Sequence, residues 1–249
     1  MVVQLEARPQ PLSLAPERTA VLVVDMQNAF ASPGGMLHVS GVDVSPARVA
    51  VINAHRVCQA ARAVGVPVIY VVMGYSPDLA DAGGRESPNP QKELSLLLLR
   101  DRPELPGPLL VAGSWDFAIV AEMTPQPGEL VIVKTRYSGF VGTDLDVELR
   151  TRGVRTLLVV GITTNVCVES TIRDAYFHEY WPVLVDDATM AAGPPGIHEA
   201  TRFNVETFFG WVATTEAVVS ALQHCPPRHG ASDTAAAGGQ DSAMIVGTC

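Results

Sequence analysis

A thiol, an ammonium and a carboxylate occur in this chain where apolar runs end: Cys167 in "VVGITTNVCVESTIRDAY", Lys134 in "VIVKTRYSG" and Asp25 closing "TAVLVVD". If those runs are strands of one open parallel sheet, their carboxyl ends share an edge, which is where ligands bind in such sheets. A cysteine at the start of a helix feels the positive end of the helix dipole, and a lysine ammonium nearby also favours the thiolate. A carboxylate beside it can take the thiol proton and return it to a leaving amine. Backbone N–H groups at the helix start can hold an oxyanion. Together these parts suit acyl transfer from an amide: attack by sulfur, loss of ammonia or an amine, and hydrolysis of a thioester. Each residue also has a structural alternative. A free cysteine packs as a small hydrophobe, or serves as a metal ligand or redox thiol. Asp25 could cap the next segment or pair with an arginine, and Lys134 could guard a strand edge.

The elements that must position these residues are legible as alternating apolar runs and helical patterns. Buried strands are expected at 19–25, 67–73, 130–135, 156–162 and 182–188. Helices are expected at 45–65, with Ser45 as N-cap and Gly65 as stop, at 143–153, from the cysteine turn to about Tyr180, and around 197–207. "WVATTEAVVSALQ" closes the core. Continuous apolar strands between helices imply an α/β fold with a parallel sheet covered on both faces. Residues 74–114 are rich in Gly, Pro and charge, with a short helix at "QKELSLLLLR"; a connection this long reads as a lid or a partner contact. The domain is expected over 19–224, after an N-terminal extension at 1–18 and before a disordered tail at 225–249.

Composition excludes several classes. The chain has 249 residues, 47% of them hydrophobic, enough for one α/β domain without staples. Its 17 Lys and Arg are scattered and its net charge is −9, which argues against nucleic acid as a partner. No apolar run spans a bilayer and no signal peptide is evident, so a cytoplasmic setting is expected. Cys58, Cys167, Cys225 and Cys249 form neither a zinc spacing nor a disulfide framework. Cys58 reads as inert core, and Cys225 and Cys249 as lying outside the core, open to oxidation. His38, His55 and His178 read as surface or packing residues, and Trp115 and Trp211 as core or subunit contacts.

"AVLVVDMQNAF", "VIVKTRYSGF" and "GITTNVCVESTIRDAYFHEYWPVLVDDATMAAG" resemble the isochorismatase-like cysteine hydrolases over about residues 19–222. The resemblance implies a three-layer α/β/α fold with a six-stranded, mostly parallel sheet, and an oligomer. It places a catalytic triad on Asp25, Lys134 and Cys167, an oxyanion hole on the main-chain N–H groups of Thr163 and Cys167, and a cis peptide at Ile162–Thr163. Isochorismatases proper lack the cysteine, so Cys167 points to the amidase branch. Nicotinamidases carry an Asp-x-His metal pattern after the second strand; "VVMGYSPDLADAGG" has no histidine there, so neither metal nor cofactor is expected.

The nearest likeness is to the ureidoacrylate amidohydrolases, through "DMQNAFASPGG", "DAGGRESPNPQK", "GSWD" and "FNVETFFGWV". That likeness implies a small ureido acid as substrate, cleaved at its carbamoyl group, with Phe30, Tyr75, Asp81 and Tyr137 in contact with it. The pocket pattern is altered at Met73, near Glu93 and Leu94, and at Pro106, where the subgroup carries Asn, Ser-Asn and Gln. Biuret, N-carbamoyl amino acids, maleamate and nicotinamide are the alternative substrates, and a non-catalytic oligomeric module is the alternative role.

Overall fold

A computed structural model describes residues 2–105 and 107–225. Pro106, the tail from Pro226 and Cys249 lie outside the described residues. Eight strands run in chain order: β1 (Val3–Leu5), β2 (Leu12–Leu14), β3 (Thr19–Val24), β4 (Val68–Met73), β5 (Leu130–Lys134), β6 (Thr156–Ile162), β7 (Trp181–Met190) and β8 (Trp211–Ala213). The last six form one parallel sheet in the order β5-β4-β3-β6-β7-β8. The helices are α1 (Asn28–Ala31), α2 (Met36–Val39), α3 (Ala47–Ala63), α4 (Leu94–Asp101), α5 (Leu145–Thr151), α6 (Glu169–Phe177), α7 (Ile197–Asn204) and α8 (Thr215–Gln223).

The unbroken apolar runs have a simple cause. Alternate residues of each central strand enter different cores. Val21 and Val23 of β3 and Leu158 and Val160 of β6 pack with α3 and α8. Ala20, Leu22 and Val24, with Leu157 and Val159, pack against Leu145 and Leu149 of α5 and Ile172 and Ala175 of α6. The result is the three-layer α/β/α arrangement with a six-stranded sheet. Ser45 does not cap α3: its hydroxyl and N–H both donate to the Asp43 carboxylate, forming a local turn one step earlier.

The N-terminal segment is packed on the domain. β1 and β2 form an antiparallel ribbon, and Leu5, Leu12 and Leu14 are buried in the α3/α8 core. Cys225 also departs from expectation. It is only 5% exposed, because the turn after α8 folds it onto the core, where its thiol donates to the Ala221 carbonyl at 3.5 Å.

The sheet order reverses between β3 and β6: the chain moves outward from β3 to β5, then returns to β6 and proceeds the other way. The crevice at such a switch point is where this architecture holds ligands. The residues leaving β3 and β6 there are Asp25 and Thr163.

Candidate active site

β3 and β6 approach each other closely at this point because β6 carries a glycine. A Cβ on Gly161 would lie 2.0 Å from the Val24 carbonyl oxygen, and its φ of +137° is one that side chains disfavour. One residue on, β3 ends with Asp25 at φ +50°, an uncommon conformation for a non-glycine residue that clusters at functional sites. The Ile162–Thr163 peptide after Gly161 is cis, as the resemblance implied.

Asp25 and Lys134 meet under the crevice. Lys134 Nζ donates to Asp25 Oδ2 at 2.8 Å, and neither side chain is exposed. Total burial excludes Lys134 as a solvent-facing strand guard. Asp25 Oδ1 has no conventional donor among the described residues, and the Cys167 thiol lies close enough to interact with both the Asp25 carboxylate and the Lys134 ammonium. Cys167 is 3% exposed and lines the cavity above the pair. It sits inside a π-helical turn, Thr164–Val168, that leads into α6. The Thr163 carbonyl accepts the N–H groups of Val166 and Val168, on either side of Cys167.

The electrostatics differ from the dipole argument. Burial, and then the Asp25 charge, hold the Cys167 thiol well above its ordinary range, against the opposing pull of Lys134. Burial likewise raises the Asp25 carboxyl, although Lys134 and Cys167 act the other way. For Lys134, burial works against the charged form, but the charges of Asp25 and Cys167 outweigh it and the ammonium is raised. The direction of these shifts favours a neutral thiol beside a proton acceptor over a standing thiolate, because burial and the Asp25 charge exceed the pull of Lys134.

The cavity has a volume of about 240 Å³ and is lined by Phe30, Met73, Glu93, Leu94, Tyr137, Thr163 and Cys167, with Met36 and Leu37 of α2, Val42, Val166, Ala192 and Gly193 completing the wall. Phe30 and Tyr137 thus stand where expected. Tyr75 and Asp81 do not line it. Tyr75 is buried beneath, its hydroxyl receiving Asn89 Nδ2 at 2.9 Å. Asp81 is spent on its own loop, accepting the N–H and hydroxyl of Ser76. Of the 74–114 connection, Glu93 and Leu94 at the start of α4 reach the cavity wall. A larger cavity of about 640 Å³ opens at the opposite ends of the strands, beside Arg18, Arg155 and Trp181, and none of the described cysteines lines it.

Several positioning residues escaped the sequence reading, because an amide beside a strand end has no distinguishing local pattern. Gln27 is fully buried and stitches β3 to β4: its Nε2 donates to the Met73 and Phe117 carbonyls (2.9 and 2.7 Å) and its Oε1 accepts the Met73 N–H (2.9 Å). Met73 in turn pairs with Lys134 across the sheet. Asp116 of "GSWD" accepts the N–H groups of Met36 and Leu110, fixing α2 against the loop that follows α4. Asn165 clasps Ala192 through both its amide atoms, at 3.0 Å each, tying the cysteine turn to the segment after β7. Among the described residues no group of three or more His, Cys, Asp and Glu stands together to hold a metal ion. Cys58 is buried away from the site, its thiol pushed up to about 12 by burial.

The comparisons with known proteins agree with this geometry. Ureidoacrylate amidohydrolase RutB of Azorhizobium caulinodans is 51% identical over 224 residues, covering 90% of this chain and 99% of the relative. The protein of the same name from Agrobacterium fabrum is 50% identical over 223 residues, covering 90% and 98%. Among solved structures, a cysteine hydrolase from Pseudomonas syringae pv. phaseolicola 1448A superposes with a TM-score of 0.74 at 30% identity, covering 91% of this chain and 99% of that one. Residues 19–217 match the isochorismatase domain, and with the same sheet and a cavity at its switch point, the chain belongs to the isochorismatase family.

Proposed function

We propose that this protein is a cysteine amidohydrolase that cleaves a C–N bond of a small ureido or carbamoyl acid of the ureidoacrylate type. The observation that carries the reading is the convergence of Asp25, Lys134 and Cys167 beneath one cavity at the sheet's switch point. Relatives about half identical in sequence and named ureidoacrylate amidohydrolases support the substrate class.

Asp25 takes the proton of Cys167, and sulfur attacks the carbonyl carbon of the substrate. The carbonyl electron pair moves to oxygen, where the N–H groups of Thr163 and Cys167 receive it. The intermediate collapses, the C–N bond breaks, and the leaving nitrogen takes the proton from Asp25. The acyl group remains on sulfur as a thioester, a thiocarbamate when the substrate is a ureido compound. Water then attacks the same carbon, giving one proton to Asp25; the C–S bond breaks, and the sulfur recovers that proton as a thiol. Lys134 stays an ammonium throughout, holding Asp25 in place and offsetting the charge that develops on sulfur. Tyr137 and Phe30 contact the substrate body.

The same reading makes the protein a cytoplasmic homo-oligomer acting on a small molecule. No described helix is long and apolar enough to cross a membrane. The described cysteines are free thiols, which suits a reducing compartment. Tyr176, Phe177, Phe203 and Phe208 are exposed and form one edge-to-face aromatic cluster around Phe209, a surface that suits self-association.

The test is ammonia release from ureidoacrylate, biuret, an N-carbamoyl amino acid, maleamate and nicotinamide by the wild-type protein. Turnover of the ureido acid above the others is expected. Preference for a plain amide over every ureido compound would overturn the substrate class.

A further inference from the structure

Glu93 is the feature of the cavity that the triad does not use. It is 2% exposed, yet it lines a wall that is otherwise mostly apolar. One oxygen is committed: Oε2 accepts the Ser95 hydroxyl at 2.5 Å and the Leu96 N–H at 3.0 Å, capping α4. The other, Oε1, has no such protein donor among the described residues and is not fully buried, so it keeps access to the cavity that Glu93 lines. No Lys, Arg or His lines the cavity, and the one ammonium beneath it is already paired with Asp25. The Tyr137 phenol lies within electrostatic reach of both Glu93 and Cys167: burial first, then chiefly Glu93, push it up to about 12. Glu93 thus shares one cavity with the sulfur, and Tyr137 senses both.

A carboxylate oxygen that faces a mostly apolar cavity with no protein donor can only accept, so it favours a ligand that brings a donor. A ligand N–H would satisfy it with a charge-assisted bond, while a ligand carboxylate at the same place would meet an uncompensated like charge. We infer that Glu93 is a specificity-determining residue that receives the N–H groups of the ureido substrate and excludes a carboxylate from that end of the cavity. The acid group of the substrate then points toward the cavity mouth, and the carbamoyl carbon is turned toward Cys167. The inference rests on the proposed reaction for its substrate, but its physical content, an acceptor that demands a donor, is testable without turnover.

The experiment is thermal-melt titration of the full-length protein with two ligands of similar size, ethylurea and propionate, in the wild type and in Glu93→Gln. Dissociation constants follow from the rise in Tm with ligand concentration. In the variant, the carbonyl oxygen of the introduced amide keeps the contacts to Ser95 and Leu96, and its NH₂ faces the cavity. The wild type should bind ethylurea at least about tenfold more tightly than propionate, the scale of one hydrogen bond to a charged group. Glu93→Gln should weaken ethylurea by a similar factor and strengthen propionate. If that variant does not fold, Glu93→Asp, which retains the charge one methylene back, should weaken ethylurea and keep the order of the two ligands. Equal binding of both ligands by the wild type, binding of neither, or an equal change for both in the variant would overturn the role of Glu93. Failure of the wild type to hydrolyse any ureido acid would instead count against the reaction, leaving the ligand preference to be judged separately.

Discussion

Asp25 Oδ2 and Lys134 Nζ lie 2.8 Å apart, fully buried, although the two residues are 109 positions apart in the chain. The pair is one device with two duties. It places a proton acceptor beneath the sulfur, and it keeps an ammonium where none would otherwise be tolerated. Its consequences separate chemistry from stability.

Removing the sulfur should affect chemistry alone. Cys167→Ala deletes one atom from a small buried side chain, so unfolding free energy should change by about 1 kcal/mol. Ammonia release should fall on the order of a thousandfold or more. Chemical denaturation together with an ammonia assay checks both, and unaltered turnover would rule out sulfur as the nucleophile.

Removing the carboxylate should affect both. Asp25→Ala leaves the Lys134 ammonium buried without a counter-charge, which costs about 3–5 kcal/mol. Activity should be lost as well. The double variant Asp25→Ala, Lys134→Met should recover much of the stability and none of the activity. Urea denaturation of the single and double variants measures the coupling.

The pH dependence follows from the directions of the shifts. Burial raises Asp25, and the base must be ionised in the free enzyme to take the thiol proton. As pH falls through the raised value, Asp25 is protonated and kcat/KM falls, so the acid limb should lie above the ordinary carboxylate range. Cys167 and Lys134 are both raised, so no alkaline limb should arise from either near neutrality. An acid limb centred near 3.8, the ordinary aspartate value, would show that Asp25 is not the titrating base.

Gln27 should act through position. Gln27→Ala leaves the Met73 N–H and the Met73 and Phe117 carbonyls without their partner. A loss of about 2–4 kcal/mol in stability is expected. Met73 neighbours Lys134 across the sheet, so kcat should fall more than KM rises. Gln27→Glu, which keeps an acceptor for the Met73 N–H but loses the amide donors to the Met73 and Phe117 carbonyls, should restore only part of the effect.

The aromatic cluster gives a test of assembly. Phe203→Glu and Phe208→Glu place charge on residues that are 61% and 58% exposed, so the folded chain should tolerate them. If this face carries the proposed self-association, the variants should run at a lower mass than the wild type in light scattering during gel filtration. An unchanged mass would exclude this face as the subunit contact.

Much of this architecture is present in the sequence because its cause is local. Apolar runs such as "TLLVVGI" announce a strand buried on both faces, and strands so covered must be parallel and flanked by helices. The order of Asp25, Lys134 and Cys167 at strand ends announced their shared edge for the same reason, since every strand of a parallel sheet ends on one side. Tertiary structure decided what depends on surroundings. The thiol form is favoured because burial and the Asp25 charge outweigh the Lys134 ammonium. Tyr75 and Asp81 turned away from the cavity because nearer partners, Asn89 and Ser76, satisfied them first. Glu93 stands in the cavity wall because it caps α4, whose start borders the cavity. Strand pattern depends on a residue and its near neighbours; charge state and side-chain direction depend on everything packed around them, which the linear order does not contain.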